Sequence, residues 1–319
     1  MLWDGVFINS IGTYLPRRVP VETLGCDPPV KNGYAYGGYE SFTVSDIPGH
    51  VMAGLAAKQA VENSNHRGEM FSPIVYADMS LIQEHMIPVC YVQRILRQRD
   101  SLAFVLNAGC DGGCTAIETV ARILSNSPDV NAGLVCAALR WRPDGGGRWS
   151  ASTNLIADGA AAAIISKKEG FARLIVSQVT SEPDLEGLLQ NRVTQPGIFD
   201  IPMVTDGIGA YAGTVTQSIL TAISATLAEA KISIEDIAYF CTSAPHLASL
   251  EELFLRPTGI PIEKTCWSEL RKIGHVGPCD QILGLAHLVA TGQLKPGQFV
   301  MLVGGGGAWR VTCLLLQVV

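Results

Sequence analysis

The chain has little charge and no long apolar run, and each shortage excludes a class of protein. Charged residues make up 16% of the 319 residues and hydrophobic ones 48%, which favours a buried core and argues against disordered tails. The net charge of -6 argues against a nucleic-acid binder, because phosphate binding needs clustered Lys and Arg. No stretch reaches about 18 uninterrupted apolar residues, and the first residues do not resemble a signal peptide. We therefore expect a cytoplasmic protein without a membrane segment.

Cysteine is plentiful, but its arrangement lacks the spacing of a metal site or a disulfide framework. The nine cysteines are an odd number and include no CxxC pair. Cys136, Cys241 and Cys313 lie in apolar runs, where a reduced thiol packs as a small hydrophobic side chain. The sequence therefore predicts neither disulfide bonds nor a bound metal.

The apolar periodicity predicts strands that alternate with helices, the pattern of an α/β fold. The order of elements occurs twice, because residues 70–85 correspond to 233–246 and residues 110–166 to 279–319. We therefore expect two similar halves, an N-terminal one over 1–168 and a C-terminal one over 169–319. Such halves pack about a pseudo-twofold axis, with a site at the seam between them. Two stretches rich in Gly and Pro, over 25–42 and 180–209, are interpreted as loops.

Cys110 stands between a predicted strand at 102–107 and a predicted helix at 112–125. Unpaired N–H groups and the positive end of the helix dipole favour an anion there, so the position suits a thiolate nucleophile. Gly112 and Gly113 would leave the sulfur unshielded and permit tight backbone geometry. The alternative is an ordinary buried cysteine beside glycines that let the helix pack closely, and this stretch alone leaves both interpretations open.

A thiolate nucleophile usually works with a histidine that the fold brings to it. Of six histidines, His246 and His275 each directly follow a second-half segment at the proposed seam. Asp280 follows at the start of the next helix, where it either compensates the helix dipole or orients a histidine. The glycines at 304–307 end a predicted strand and would let a backbone N–H approach a reacting oxygen, which suits an oxyanion hole shared with the amide of Cys110.

Taken together, these segments resemble the β-ketoacyl-ACP synthase III branch of the thiolase-fold enzymes. The resemblance rests on "NAGCDGG", "PHLAS", "GHVGPCD" and "LKPGQFVMLVGGGGAW" in that order, with "DGAAAAIIS" between the first two. It implies a five-layer αβαβα sandwich of two pseudo-twofold-related halves, usually a homodimer. It also implies that Cys110 accepts the acyl group, that His246 is the catalytic histidine, and that Gly305 or Gly306 shares the oxyanion hole with Cys110.

The segment "GHVGPCD" departs from the condensing members, which have an Asn where this chain has His275. It resembles divergent relatives in natural-product pathways that use Cys, His and Asp to transfer an acyl group without forming a carbon–carbon bond. In that interpretation His246 deprotonates the acceptor, Asp280 orients His246, and His275 shapes the pocket. One alternative is a decarboxylating synthase in which Cys110, His246 and His275 form a Cys-His-His set. Another is a non-catalytic partner subunit.

The resemblance also implies the partners of the reaction. No cofactor is bound permanently, and the donor is an acyl or aryl thioester of phosphopantetheine, carried by CoA or by an acyl carrier protein. The acceptor is a carrier-protein thiol, or a hydroxyl or amine of a natural-product intermediate. Glu251 stands where the family often has a basic residue associated with carrier docking, so the sequence leaves the mode of docking open.

Overall fold

A computed structural model describes residues 1–25, 34–79, 87–141, 147–150, 154–185, 192–195, 198–200, 207–306 and 310–319. The strands within these ranges are, in chain order, β1 Phe7–Tyr14, β2 Arg17–Pro20, β3 Ser41–Val44, β4 Phe71–Asp78, β5 Ala103–Leu106, β6 Ala132–Leu139, β7 Trp149–Ser150, β8 Asn154–Leu155, β9 Gly159–Ser166, β10 Ala172–Thr180, β11 Arg192–Gln195, β12 Ile198–Asp200, β13 Ile237–Thr242, β14 Phe299–Gly306 and β15 Arg310–Val318. The α-helices are α1 Gly49–Glu62, α2 Pro88–Leu96, α3 Gly112–Ser125, α4 Gly207–Ala230, α5 Leu247–Leu250, α6 Arg256–Thr258, α7 Trp267–Leu270 and α8 Asp280–Ala290.

Nine of the strands form one sheet, in the order β13-β14-β15-β10-β1-β9-β6-β4-β5. In the first half of the chain β4 and β6 are parallel, and β9 and β1 then follow antiparallel. In the second half β13 and β14 are parallel, and β15 and β10 follow antiparallel. The same strand order therefore occurs on both sides of the β1 to β10 pairing. The proposed boundary between 168 and 169 falls between β9 and β10 and stays a prediction.

The helices complete five layers. Helices α1 and α2 cover the outer face of the first half-sheet, α3 and α8 lie in the middle, and α4 covers the second half-sheet. Strand β6 shows how the sequence specifies this arrangement, because alternate side chains point to opposite faces of a sheet. Leu134 and Cys136 pack towards α1 and α2, whereas Val135 and Ala137 pack in the core that includes α3. A strand buried on both faces needs a continuous apolar run, as the predicted α/β class requires.

The predicted helices and strands of the main sheet are present, with small shifts at their ends. The predicted helix near 247–255 is instead α5 and α6 joined by a π-helical turn at Glu251–Leu255. The predicted loop at 180–209 contains the β11–β12 hairpin, and residues 26–33 of the other predicted loop lie outside the described ranges. The β2–β3 hairpin was not predicted, because the largely exposed β2 carries no apolar alternation. Within the described residues, no helix is both long and apolar enough to cross a bilayer.

Candidate active site

Cys110 lies in the single 3-10 turn, Gly109–Asp111, that links the end of β5 to the start of α3. Gly109 has a φ of +58°, a left-handed conformation that favours glycine, and it turns the chain sharply into the helix. The Cys110 N–H is among the first N–H groups of this helical segment, which have no acceptor within it. The residue is partly exposed, whereas Cys114, one helical turn later, is fully buried. Of these two cysteines, only Cys110 is therefore accessible from outside the core.

The thiol of Cys110 is the first member of a line of three functional groups. Its Sγ lies 3.0 Å from Nε2 of His275. On the other side of the same imidazole, Nδ1 of His275 lies 2.6 Å from Oδ2 of Asp280. Both His275 and Asp280 are buried, at 1% and 0% relative exposure. A nucleophile, an imidazole and a carboxylate in this order have the geometry of a catalytic triad.

This arrangement pairs Asp280 with a different histidine from the one expected. Asp280 was expected to orient His246, and His275 to shape the pocket, but the carboxylate of Asp280 contacts the ring of His275. The catalytic roles of these residues stay predictions. The Oδ1 atom of Asp280 accepts a hydrogen bond from the backbone N–H of Val276 and its Oδ2 accepts another from that of Ala244, each at 2.8 Å. The carboxylate therefore joins the His275 segment to the loop that follows β13.

A tight turn between His275 and Asp280 produces this contact. Gly277 has a φ of +56°, and Pro278 then starts the 3-10 turn that leads into α8. These two residues fold the chain back so that the carboxylate at the start of α8 faces the imidazole five positions earlier. The pairing depends on a left-handed glycine, and for that reason the spacing in the sequence did not reveal it.

Glycines in α3 bring the thiol to this turn. A Cβ on Gly113 would lie 2.2 Å from the backbone oxygen of Pro278, and one on Gly112 would lie 3.0 Å from the Cβ of Pro278. Any larger side chain at position 113 would separate the first turn of α3 from the turn before α8. The two glycines therefore permit close approach of α3 and the turn before α8. From the sequence they were expected to leave the sulfur of Cys110 unshielded.

The backbone of His275 is also held in place. Its N–H donates to the carbonyl oxygen of Leu155 at 2.8 Å, and its own carbonyl oxygen accepts from Ala157 at 2.9 Å. These bonds attach the histidine to residues 155–157, which directly precede the "DGAAAAIIS" stretch that forms β9. Within that stretch, the buried carboxylate of Asp158 pairs with both terminal nitrogens of the Arg148 guanidinium at 3.2 and 3.0 Å. The imidazole thus has a rigid support on its backbone as well as on its Nδ1.

The electrostatic environment favours a protonated imidazole. Burial by itself lowers the pKa of His275, because it disfavours the charged form. The negative charges of Asp280 and Cys110 and the hydrogen bonds to both outweigh burial and raise the pKa of His275 well above its usual value. The ring can therefore donate one N–H to the sulfur and the other to the carboxylate at neutral pH.

His246 is buried at 4% exposure at the end of the loop after β13. Its Nδ1 accepts from the backbone N–H of Ser249 at 3.4 Å, as the N-cap of α5. The left-handed Gly37 packs on it so closely that a Cβ there would lie 2.7 Å from the Cβ of His246. The backbone N–H of Ala244, two residues before His246, donates a hydrogen bond to the carboxylate of Asp280. His246 therefore belongs to the same region of the fold as the Cys110–His275–Asp280 line.

The end of β14 passes directly beside Cys110. A Cβ on Gly306 would lie 2.9 Å from the backbone nitrogen of Cys110 and 3.0 Å from its Cβ. A Cβ on Gly305 would meet no described atom within 4 Å, so this residue borders open space. The bare backbone of β14 and the amide of Cys110 are therefore adjacent, as a shared oxyanion hole requires. Gly307 lies outside the described residues.

Two residues beside the thiol were missed by the sequence reasoning. The Sδ atom of Met79, after β4, lies 3.8 Å from the Sγ of Cys110, and a Cβ on Gly277 would lie 2.2 Å from that Sδ. Asp111, immediately after the nucleophile, is completely buried. For Met79 the sequence carries no signal. For Asp111 the signal is an acid directly before the predicted helix, three residues ahead of Cys114, next to the candidate nucleophile.

Comparisons with known proteins found related sequences. Residues 227–318 match the family described as 3-oxoacyl-[acyl-carrier-protein (ACP)] synthase III C terminal. The chain is 27% identical to the β-ketoacyl-[acyl-carrier-protein] synthase III of Clostridium perfringens, with 79% of each protein covered. It is 22% identical to that of Desulfotalea psychrophila, over 83% of this chain and 84% of the relative.

Solved structures show the same similarity over nearly the whole chain. The acyltransferase ChlB3 superposes with a TM-score of 0.88 at 26% identity, with 98% of both chains covered. The synthase III of Aquifex aeolicus superposes with a TM-score of 0.80 at 18% identity, over 98% of this chain and 99% of that one. OleA of Xanthomonas campestris reaches 0.78 at 16% identity, with 99% of both covered. At these lower identities the last two comparisons show the fold alone.

Proposed function

Because the chain is a KAS III-like member of the thiolase-fold acyl-transferring and condensing enzymes, we propose that it transfers an acyl group without decarboxylation. The observation that carries this proposal is the Cys110–His275–Asp280 line. A histidine that contacts a carboxylate through Nδ1 and a thiol through Nε2 is suited to transfer protons to and from nucleophiles and leaving groups. Acyl exchange needs such a group at both of its steps.

In the first step, the Cys110 thiolate attacks the carbonyl carbon of a phosphopantetheine thioester. A carbon–sulfur bond to Cys110 forms, and the carbonyl oxygen becomes an oxyanion near the N–H of Cys110 and the backbone of Gly305 and Gly306. The intermediate then collapses, and the bond to the pantetheine sulfur breaks. The departing thiolate takes the proton from Nε2 of His275, which leaves acyl-Cys110 and a neutral imidazole.

In the second step, the acceptor gives its proton to Nε2 of His275 as it attacks the acyl carbonyl. The bond between the acyl carbon and Cys110 breaks, and the thiolate and imidazolium are restored. Asp280 keeps the proton on Nδ1 and stabilises the imidazolium throughout, so the ring presents Nε2 to the reacting atoms. His246, expected from the sequence to be the acceptor's base, is assigned here to bind the acceptor, since His275 already provides the base.

Decarboxylative condensation makes a different demand on the site. There the electrons for the new carbon–carbon bond come from the bond to the departing carboxylate, so no proton has to be removed from the nucleophile. The enzyme needs instead hydrogen-bond donors on the thioester oxygen of the malonyl group. The carboxylate of Asp280 on Nδ1 of His275 stabilises the imidazolium, which suits a ring that gains and loses a proton at Nε2 and so favours proton transfer.

Intact-mass spectrometry tests the proposal with two matched variants. Incubation with a panel of acyl-CoA and acyl-carrier thioesters should add one acyl mass to the wild type and none to Cys110→Ala. Cys90→Ala is the control, because Cys90 is an exposed cysteine on α2 and its loss should not reduce acylation. An acceptor should then release the acyl group, and malonyl thioesters should yield no carbon dioxide. Malonyl-dependent carbon dioxide release would favour the condensing reaction, and absence of any adduct would favour a non-catalytic subunit.

The same proposal includes a homodimer and a cytoplasmic location. Strand β5 is an edge strand of the sheet, and Leu102 and Val105 beside and within it are 54% and 39% exposed. An apolar edge strand of this kind pairs readily with another strand. A second copy of the chain would continue the sheet across β5. Light scattering should show a dimer that Val105→Lys weakens.

A further inference from the structure

Asp111, which directly follows the nucleophile, has a completely buried carboxylate with an unusual set of contacts. Its Oδ2 accepts hydrogen bonds from the hydroxyls of Thr115 and Thr312, each at 2.7 Å. Nε of Arg310 lies 3.5 Å from the same oxygen, which is an ion-pair distance but too long for a hydrogen bond. Its Oδ1 has no hydrogen-bond partner among the described residues. That oxygen is pressed against Gly304, where a Cβ would lie 2.0 Å from it.

These contacts connect two separate parts of the fold. Thr115 lies one turn further along α3, the helix that follows Cys110. Thr312 lies on β15, directly opposite Gly304 in the antiparallel pair of β14 and β15. The carboxylate of Asp111 therefore ties the turn that carries the nucleophile to the end of the β14–β15 hairpin.

The same hairpin carries the backbone proposed for the oxyanion hole. In the register of β14 and β15, Gly306 is opposite Arg310 and Gly304 is opposite Thr312. Thr312 and Arg310, which contact Asp111 from β15, therefore pair with Gly304 and Gly306. These two glycines flank Gly305 on β14. Any shift of this hairpin relative to Asp111 would change the distance between the amide of Cys110 and the backbone of Gly306.

Such a carboxylate is costly as a structural element. Burial raises the pKa of Asp111 to about 7, although the hydroxyls of Thr312 and Thr115 and the charge of Arg310 lower it. An apolar side chain at this position would occupy the same core without that cost. The carboxylate does what an apolar side chain cannot do, because its hydrogen bonds fix direction and distance between α3 and β15.

We propose that Asp111 is a positioning residue for the oxyanion hole. It does not touch the substrate, and it acts by holding the Cys110 amide and the end of β14 at a fixed separation through Thr115 and Thr312. The proposal rests on the acyl transfer proposed above. The N–H groups of an oxyanion hole act only if they meet the developing charge at hydrogen-bond distance, so a small displacement has a large effect on rate.

The test compares two reactions of the same sulfur. Acylation by a thioester passes through an oxyanion, whereas alkylation by iodoacetamide displaces iodide from a saturated carbon and forms none. Asp111→Ala should slow acylation of Cys110 by roughly 10²-fold, the cost of a misplacement of about 1 Å, and leave the alkylation rate close to that of wild type. Thr312→Val should show the same selectivity to a smaller degree.

Two further variants serve as controls. Asp111→Asn keeps an oxygen that can accept from both hydroxyls, so it should acylate at close to the wild-type rate. Thr119→Val removes a hydroxyl of α3 that donates to the carbonyl oxygen of Thr115 within the same helix. This variant should alter neither rate. Thr312→Val also keeps the proposal testable if Asp111→Ala does not fold, which thermal unfolding would show.

The possible results separate the two proposals. If the wild type acylates and Asp111→Ala and Thr312→Val acylate equally fast, Asp111 has no positioning role and only this inference is wrong. If both variants lose acylation and alkylation to the same extent, the carboxylate supports the thiolate or the fold, and the inference is again wrong. If the wild type forms no adduct with any thioester while iodoacetamide still labels Cys110, the proposed acyl transfer itself fails.

Discussion

Replacing Asp111 with Asn should remove a pH dependence from the stability of the protein. The carboxyl of Asp111 has a pKa of about 7 in the fold, against 3.8 for an unperturbed Asp, because burial disfavours its charge. Between these two values the folded protein retains a proton that the unfolded chain has released. The free energy of unfolding therefore falls as the pH rises through this window, and the stabilisation that is present below about pH 4 is lost by about pH 7.

The size of the effect follows from the two pKa values. Moving the pKa of Asp111 from 3.8 to about 7 corresponds to roughly 4 kcal/mol, at about 1.4 kcal/mol for each pKa unit. Of this, roughly 3 kcal/mol falls between pH 5 and pH 8, where measurements are practical. Burial raises the pKa of the neighbouring thiols of Cys114 and Cys313, so neither of them ionises in this range.

The assay is urea unfolding of the wild type and of Asp111→Asn at pH 5, 6, 7 and 8. The absolute difference between the two proteins includes the changed hydrogen bonds of the amide, but that contribution does not depend on pH. The difference should therefore move in favour of the Asn variant by roughly 3 kcal/mol from pH 5 to pH 8. Parallel pH profiles for the two proteins would mean that Asp111 is not protonated in the fold near neutral pH, and the reasoning would be refuted.

Four further predictions concern the proposed active site. Asp280→Asn should slow acylation of Cys110 by about 10⁴-fold, because an amide cannot hold the imidazole in its protonated form; an unchanged single-turnover rate would exclude the triad. His246→Ala should slow transfer to the acceptor by roughly tenfold, the value of one hydrogen bond, without slowing acylation; equal slowing of both steps would contradict its assignment to the acceptor. Gly306→Ala should cost roughly 10²–10³-fold in acylation, because its Cβ would collide with Cys110. Gly305→Ala, which has open space, should fold normally, and a folding defect confined to it would contradict the geometry of β14.

The sequence alone determined the architecture and singled out the thiol that is proposed as the nucleophile. The alternation of apolar segments specified strands and helices, because side-chain periods of 2 and 3.6 are local properties of the chain. The doubled order of these segments predicted the repeated sheet, and the helix start next to Cys110 marked its thiol. These features could be read directly because each depends on residues close together in the chain.

Only the tertiary structure decided which histidine and which acid lie in line with the thiol. His246 and His275 both follow second-half segments at the same seam, and their order in the chain does not show which imidazole faces Cys110. The left-handed turn at Gly277 aims His275 at Asp280, and the closeness of Gly113 to Pro278 brings that pair to the thiol. These are relations in space between distant segments. The periodicity and spacing of the sequence do not predict these relations. The backbone angle at Gly277 and the distance between α3 and the turn before α8 are fixed only when the core packs.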